Sequence, residues 1–322
     1  MDIPTILVNY YRNIRKIVEE SLVELGKIPL EKELNEIIQK ERVLPIRFCY
    51  PELGANAWQQ IAVDFDYILG NNELKTLRNT ILDVKNNLPE KFDLVHIGPG
   101  QGVEIPILYN NFGDNINNWI GIDISKEMLI NTFSYNAKKE NYKFIDKTVK
   151  FCYLTDVETK DNLSLVVDDY NKKINNNLSK LFLLIGQGVL FSNPETLRNI
   201  NDAMTEKDYL YITIEGDDPN KRKEICASYD LYPVRKLLSV GLERAGYNLH
   251  KGNFLPAKFN KETPMVEVYF KPKHEKTILC LTSYKPTSKE VLEEKLVNAG
   301  FNNIIYHRNF EDIHTYAVLC QK

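Results

Sequence analysis

The chain has 322 residues, 43% of them hydrophobic and 26% charged, the balance of a soluble globular protein with room for one large or two ordinary domains. A formal net charge of −3 supplies no basic face for a long polyanion, which argues against nucleic acid as a partner. The five cysteines are scattered without a CxxC pair, and Ile6-Leu7-Val8 is too short an apolar run to span or target a membrane, so a cytoplasmic chain with reduced thiols and no membrane partner is expected.

The N-terminal stretch reads as helical. Ile14, Ile17, Val18 and Leu22 share one helical face, Gly26 and Pro29 stop it, and Leu30, Leu34, Ile37 and Ile38 repeat the spacing. From Phe92 the pattern changes to short apolar strands alternating with helices. Strands are predicted at Asp93 to Ile97, Trp119 to Asp123, Val149 to Leu154, Leu181 to Ile185 and Tyr209 to Ile214, giving a mostly parallel sheet covered on both faces. The alternation stops between Glu215 and Lys276, although Met265 to Phe270 is strand-like. It resumes at Ile278, and Thr287 with Glu290 is expected to cap a helix that Gly300 closes. Asn303 to Tyr306 and Thr315 to Cys320 are too close for a helical crossover, so they are expected to form an antiparallel hairpin at the sheet edge. The expected organisation is α/β. Residues 71–214 and 278–322 form the sheet domain, while 1–70 and 215–277 form a smaller α+β domain that covers the substrate.

The first of these strands runs into Gly98-Pro99-Gly100-Gln101-Gly102. Glycines there permit a sharp turn and close approach to a ligand, at a helix start whose free N–H groups suit an anion. Asp123 ends the next strand at about the 20-residue spacing of a ribose-binding carboxylate. Asp156 ends the third, placed either to accept from an adenine amino group or to cap a helix. Val103 stands where a dinucleotide fingerprint wants its third glycine. With the closing hairpin, this favours S-adenosylmethionine over NAD and a class I methyltransferase of Rossmann-like fold. His96 stands where such enzymes often carry an acid, and is read as structural.

Further motifs appear in series: Tyr50-Pro51-Glu52-Leu53-Gly54, Asp66-Tyr67, Gly186-Gln187-Gly188-Val189-Leu190-Phe191, Ala227-Ser228-Tyr229-Asp230 and Leu281-Thr282-Ser283-Tyr284-Lys285. In order and spacing they resemble the YDxxG, EYY, GSTIGN, AYDD and ExSxK motifs of the histidine-specific methyltransferases, whose members include the enzyme that trimethylates the histidine α-amine. The resemblance implies S-adenosylmethionine held by Tyr50, Gly98, Pro99, Gly100, Gln101, Gly102, Asp123, Ile124, Asp156, Val157 and Gly186. It implies an acceptor pocket lined by Tyr67, Gly188, Phe191, Tyr229, Leu281 and Ser283, with the Tyr67 and Tyr229 hydroxyls orienting the amine. Phe191 and Leu281 replace an asparagine and a glutamate of the family, which implies an acceptor less polar than histidine. The expected reaction is N-methylation of an amino acid or related small molecule. A cofactor-binding pseudoenzyme, or an aminocarboxypropyl transferase on the same fold, stays open.

Other candidates read more plainly. Ser192-Asn193-Pro194-Glu195 makes a helix start. Glu215, Asp217 and Asp218 cluster where substrates bind in this fold, or form a solvated turn. Glu267 is expected in a salt bridge. His250, His274, His307 and His314 lack ligand spacing, so no metal is expected.

Overall fold

Strands buried on both faces must be apolar on both, and such runs build the centre of the fold. The computed structural model describes residues 13–27, 31–62, 64, 67–138, 151–309 and 315–322. Ile6-Leu7-Val8, Pro29, Leu30, Asp66, Val149 and His314, named above, lie outside them. The main sheet contains β1 (Leu22–Glu24), β2 (Phe92–Ile97), β3 (Ile116–Asp123), β4 (Cys152–Leu154), β5 (Ser179–Ile185) and β6 (Tyr209–Glu215). A second sheet intervenes in the chain, with β7 (Gly252–Phe254), β8 (Lys258–Asn260), β9 (Met265–Pro272) and β10 (Ile278–Tyr284). The hairpin of β11 (Asn302–Asn309) and β12 (Thr315–Gln321) then completes the first.

The main sheet has the order β1-β4-β3-β2-β5-β6-β12-β11. Its pairs are parallel from β1 to β6, and β12 runs antiparallel to both β6 and β11, the reversed edge that the strand spacing requires. Alternation along each strand sends neighbours to opposite faces. Leu94, Trp119, Leu181 and Tyr211 meet Leu77 and Ile81 of the helix Ile68–Asn86 and Leu129 and Phe133 of the helix Lys126–Lys138. Val95, Ile120, Phe182 and Ile212 meet Val166, Ile200 and Leu296 on the other side. A third apolar cluster joins Leu34, Ile38, Phe48 and Ile61 to Leu237, Leu238, Val266, Val268 and Cys280, so the N-terminal helices share a core with the second sheet. Residues 42–44 are stitched to β10 by Leu44 N–H donating to Leu279 C=O (2.8 Å) and Leu279 N–H donating to Arg42 C=O (2.9 Å). Among the described residues, no helix is long and apolar enough to cross a membrane.

Four details differ from the sequence reading. Leu22 is not helical: residues 13–21 are, and Leu22–Glu24 then pairs with the exposed edge of β4, while Ile14 and Val18 pack on the main sheet. Ile278–Tyr284 does not rejoin the main sheet, because the turn after Pro272 folds it back antiparallel onto β9. The late helix Lys289–Asn298 is capped by Ser288, whose Oγ accepts from Val291 N–H at 3.3 Å, rather than by Thr287. Phe191 is not among the described residues that line the predicted acceptor pocket. The 3₁₀ turn Leu190–Ser192 rolls its ring into the core beneath the sheet, where it is 0% exposed.

Phe191→Asn should therefore strand an amide in an apolar core and leave a cavity, lowering stability by about 3–5 kcal/mol. Denaturant unfolding at equilibrium measures this, and a change under about 1 kcal/mol would return the side chain to a polar pocket.

Candidate active site

The carboxyl ends of the parallel strands open toward the second layer, and two adjoining cavities lie there. The first is lined from below by Gly98, Gly100, Asp123, Ile124, Asp156 and Val157, and from above by Ile46, Arg47, Tyr50 and Trp58. Gly98 and Gly100 have φ of +60° and +55°, which side chains rarely adopt. A Cβ on Gly100 would also stand 2.7 Å from Trp58 Nε1, and one on Gly98 3.1 Å from Gln187 Nε2. The loop therefore keeps open a floor that any side chain would fill. Gly102 instead faces Thr132, Ile105 and Asn136 and supports the loop from behind. Pro99 and Gln101 line an adjoining cleft with Asn71 and Leu74.

Asp123 is 7% exposed, and its carboxylate accepts from Ser125 N–H at 2.9 Å. Burial pushes its carboxyl up to about 7, against the bonds from the Ser125, Gly100 and Ile124 N–H groups that favour its charge. Asp156 accepts from Glu158 N–H and Thr159 Oγ, each at 3.0 Å, so it closes a turn and caps no helix. Arg47 reaches it from the upper layer at 3.8 Å. His96 is buried under the glycine loop, with Nε2 3.0 Å from Glu104 Oε1, so the loop carries the acid that the strand lacks.

The second cavity shares Tyr50, Trp58, Gln187 and Val189 with the first. Tyr67, Gly186, Gly188, Tyr229, Leu281 and Ser283 line it, so every predicted acceptor residue except Phe191 is brought together. Leu281 and Ser283 reach it from one side of β10 by alternation, and Lys285, the residue after the strand's end, joins them. Tyr229 OH donates to Ser283 Oγ at 2.8 Å. Lys285 Nζ donates to Glu215 Oε2 at 2.5 Å, and both side chains are buried. Burial works against the Lys285 charge, but Glu215 and Tyr229 hold its pKa above the ordinary value. Glu73 reaches in from the helix Ile68–Asn86, its Oε2 occupying the space that a Gly186 Cβ would need. Burial and then Glu215 raise its carboxyl well above the usual range. Burial likewise raises Tyr67.

Sequence reasoning missed Arg47, Trp58, Glu73 and Gln187 as lining residues. Lys285 closes the LTSYK motif and Glu215 ends a strand, so both carried a signal. Glu73 sits in an Asn-Asn-Glu-Leu-Lys stretch that reads as a solvated helix face. Of the other candidates, Asn193 caps its helix, Glu267 pairs with Lys258, and Asp217 pairs with Arg222.

A doubly wound sheet with a reversed last strand, a glycine loop after β2 and acids ending β3 and beside β4 define a class I, Rossmann-like methyltransferase. The chain belongs to the family of histidine-specific, S-adenosylmethionine-dependent methyltransferases, which matches residues 29–297. Comparison with curated proteins returns no match. Among solved structures, it is similar to an S-adenosylmethionine-dependent methyltransferase from Clostridium acetobutylicum, at 13% identity over 77% of this chain and 91% of that one, with a TM-score of 0.44. It is similar to the CcbJ methyltransferase of Streptomyces caelestis at 9% identity, over 76% and 88% of the two chains, with a TM-score of 0.43. A Burkholderia thailandensis 1,6-didemethyltoxoflavin-N1-methyltransferase with bound S-adenosylhomocysteine gives 11% identity, 76% of each chain and a TM-score of 0.41.

The open glycine floor and the nearly neutral buried acid fit a nucleoside with a free diol. The Asp123 pKa is raised above the unfolded value of 3.8, so its contribution to apoprotein stability is complete below 3.8 and lost as pH rises through about 7. The carboxylate that accepts from a diol prevails above that point. S-adenosylhomocysteine affinity should rise between pH 6 and pH 8, measured by calorimetry. Asp123→Asn should abolish that rise and weaken binding by roughly 1–3 kcal/mol. A parent affinity that ignores pH would remove Asp123 from the cofactor site.

Proposed function

We propose that this methyltransferase transfers the methyl group to the amine of an amino acid or related small molecule. The observation that carries the proposal is the second cavity, which shares a wall with the first and presents hydroxyls and carboxylates together. When bound, S-adenosylmethionine supplies a methyl group on a positively charged sulfur. Asp123 would hold its ribose, Asp156 and Val157 its adenine, and the loop from Gly98 with Tyr50 and Gly186 its amino-acid portion. Tyr50 and Trp58, ring centroids 5.9 Å apart in an edge-to-face pair, would exclude water between the two compartments.

An ammonium has no lone pair, so the acceptor must lose a proton before it can attack. Tyr67 and Tyr229 would fix the amine by hydrogen bonds, and Glu73, Glu215 or a water would take the proton. Both hydroxyls stay protonated under ordinary conditions, since burial raises both phenols, although Lys285 opposes the shift at Tyr229. Orientation in a dry site is then the main contribution of the protein. Leu281 gives the cavity an apolar wall, which supports an acceptor side chain less polar than imidazole. The five free thiols support a cytoplasmic setting, and the recessed cavity lined by aromatic rings and hydroxyls a small molecule rather than a nucleic acid.

Labelled cofactor offered with a panel of amines should yield N-methylated product. Tyr229→Phe should lower kcat by about 10- to 100-fold while leaving S-adenosylhomocysteine affinity unchanged. Label appearing only on oxygen or carbon acceptors would refute the amine assignment.

A further inference from the structure

A methyl group that leaves a sulfur in the first cavity for an acceptor in the second must cross the wall they share. Tyr50, Trp58, Gln187 and Val189 make that wall. Gln187 and Trp58 also line the cleft beside the glycine loop, so they stand where both cavities meet it. Trp58 brings an N–H donor, Val189 no polar side-chain atom, and Tyr50 a hydroxyl that both donates and accepts. Gln187 alone among them carries a side-chain carbonyl oxygen, which can only accept.

The Gln187 amide is held in one orientation. Its Nε2 donates to Gly98 C=O at 3.2 Å, and since that carbonyl cannot donate, the nitrogen is the end turned to the loop. Oε1 is the end left over, and it has no hydrogen-bond partner among the described residues. The backbone around it is fixed as well. Gly186 N–H donates to Thr213 Oγ at 3.2 Å, Phe191 N–H to Gln187 C=O at 3.1 Å, and Tyr284 N–H to Gly188 C=O at 2.9 Å. The turn that buries Phe191 in the core therefore anchors Gln187 at the wall.

Transfer forms an N–C bond as the C–S bond of the cofactor breaks, with the electron pair of that bond staying on sulfur. Positive charge thus passes from sulfur to the acceptor nitrogen, and the product is an N-methylammonium. An amine N–H aimed at a carbonyl oxygen becomes a stronger donor as this charge arrives. Such a bond is worth more in the transition state than before it, and a preorganised acceptor loses nothing in reorienting. A neutral amide is too weak a base to take the ammonium proton, which leaves beforehand to a cavity carboxylate or water.

We infer that Gln187 is a catalytic residue of the transfer, its Oε1 accepting from the N–H of the attacking amine and stabilising the charge that develops on nitrogen. This rests on the amine reading above and adds to it the group at the point of transfer.

The test compares Gln187→Met with Gln187→Glu. Both lose the bond to Gly98 C=O, but only the second keeps an accepting oxygen. Turnover is measured with saturating labelled cofactor and the best acceptor among histidine, tryptophan, tyrosine and tryptamine. Gln187→Met should lower kcat by about 10- to 100-fold with little change in KM for the amine, the signature of a contact made in the transition state. Gln187→Glu should recover several-fold of that loss. Calorimetry with S-adenosylhomocysteine should show the two variants weakened alike, by about tenfold at most, because it reads the lost loop bond and not the transfer. Equal kcat in the two variants would overturn the inference, make Gln187 a support of the loop and leave the N-methyltransferase reading standing. No transfer by the parent protein to any amine of the set would overturn both.

Discussion

The buried ion pair between Glu215 and Lys285 is the joint on which the second cavity depends. Glu215 is the last residue of β6 in the main sheet, and Lys285 directly follows β10 in the second. Backbone bonds reinforce the junction, with Tyr284 N–H donating to Gly188 C=O, Lys285 N–H to Pro264 C=O and Asp217 N–H to Pro286 C=O, each at 2.9 Å. A buried pair of this kind adds little net stability, but losing one partner leaves a bare charge and costs about 3–5 kcal/mol. The position of β10 relative to the sheet is thus fixed most firmly where Leu281 and Ser283 reach the cavity.

The two compartments illustrate different ways of using burial. In the first, Asp123 is desolvated yet served by backbone N–H groups, which leaves its carboxyl near neutrality and open to a hydroxyl-bearing partner. In the second, burial is the leading influence on both acids: it raises Glu73, with Glu215 adding to the shift, and raises Glu215 against the opposing Lys285. Glycines allow both arrangements. Gly100 lets Trp58 close over the loop, and Gly186 lets the Glu73 carboxylate lie against the end of β5.

Local features were legible in the sequence, and tertiary ones were not. The strand ends, Gly98 to Gly102, Asp123 and Asp156 are set by periodicity and loop chemistry within a few residues, so they appear where expected. The hairpin was legible because loop length alone forbids a crossover. Leu22 was misread because a three-residue strand leaves no period to detect, and its pairing depends on an edge of β4 far along the chain. Phe191 was misread because motif order fixes a residue's place in the chain but not the 3₁₀ turn that aims its ring. Glu73 was invisible for the opposite reason: a polar residue on a helix is ordinarily solvated, and only the approach of Gly186 encloses it.

The route of the chain through the two sheets carries a consequence for how the molecule assembles. β12 completes the main sheet beside β6, with Thr315 opposite Glu215, yet the whole second sheet is synthesised between them. A contact of such long sequence separation closes late, since the entropy of a large loop is lost before the ladder forms. Until then the edge of β6 stands unpaired, a template for the wrong partner. The second sheet shortens that loop when it folds first, so the segment that walls the second cavity also brings the final hairpin within reach of its edge.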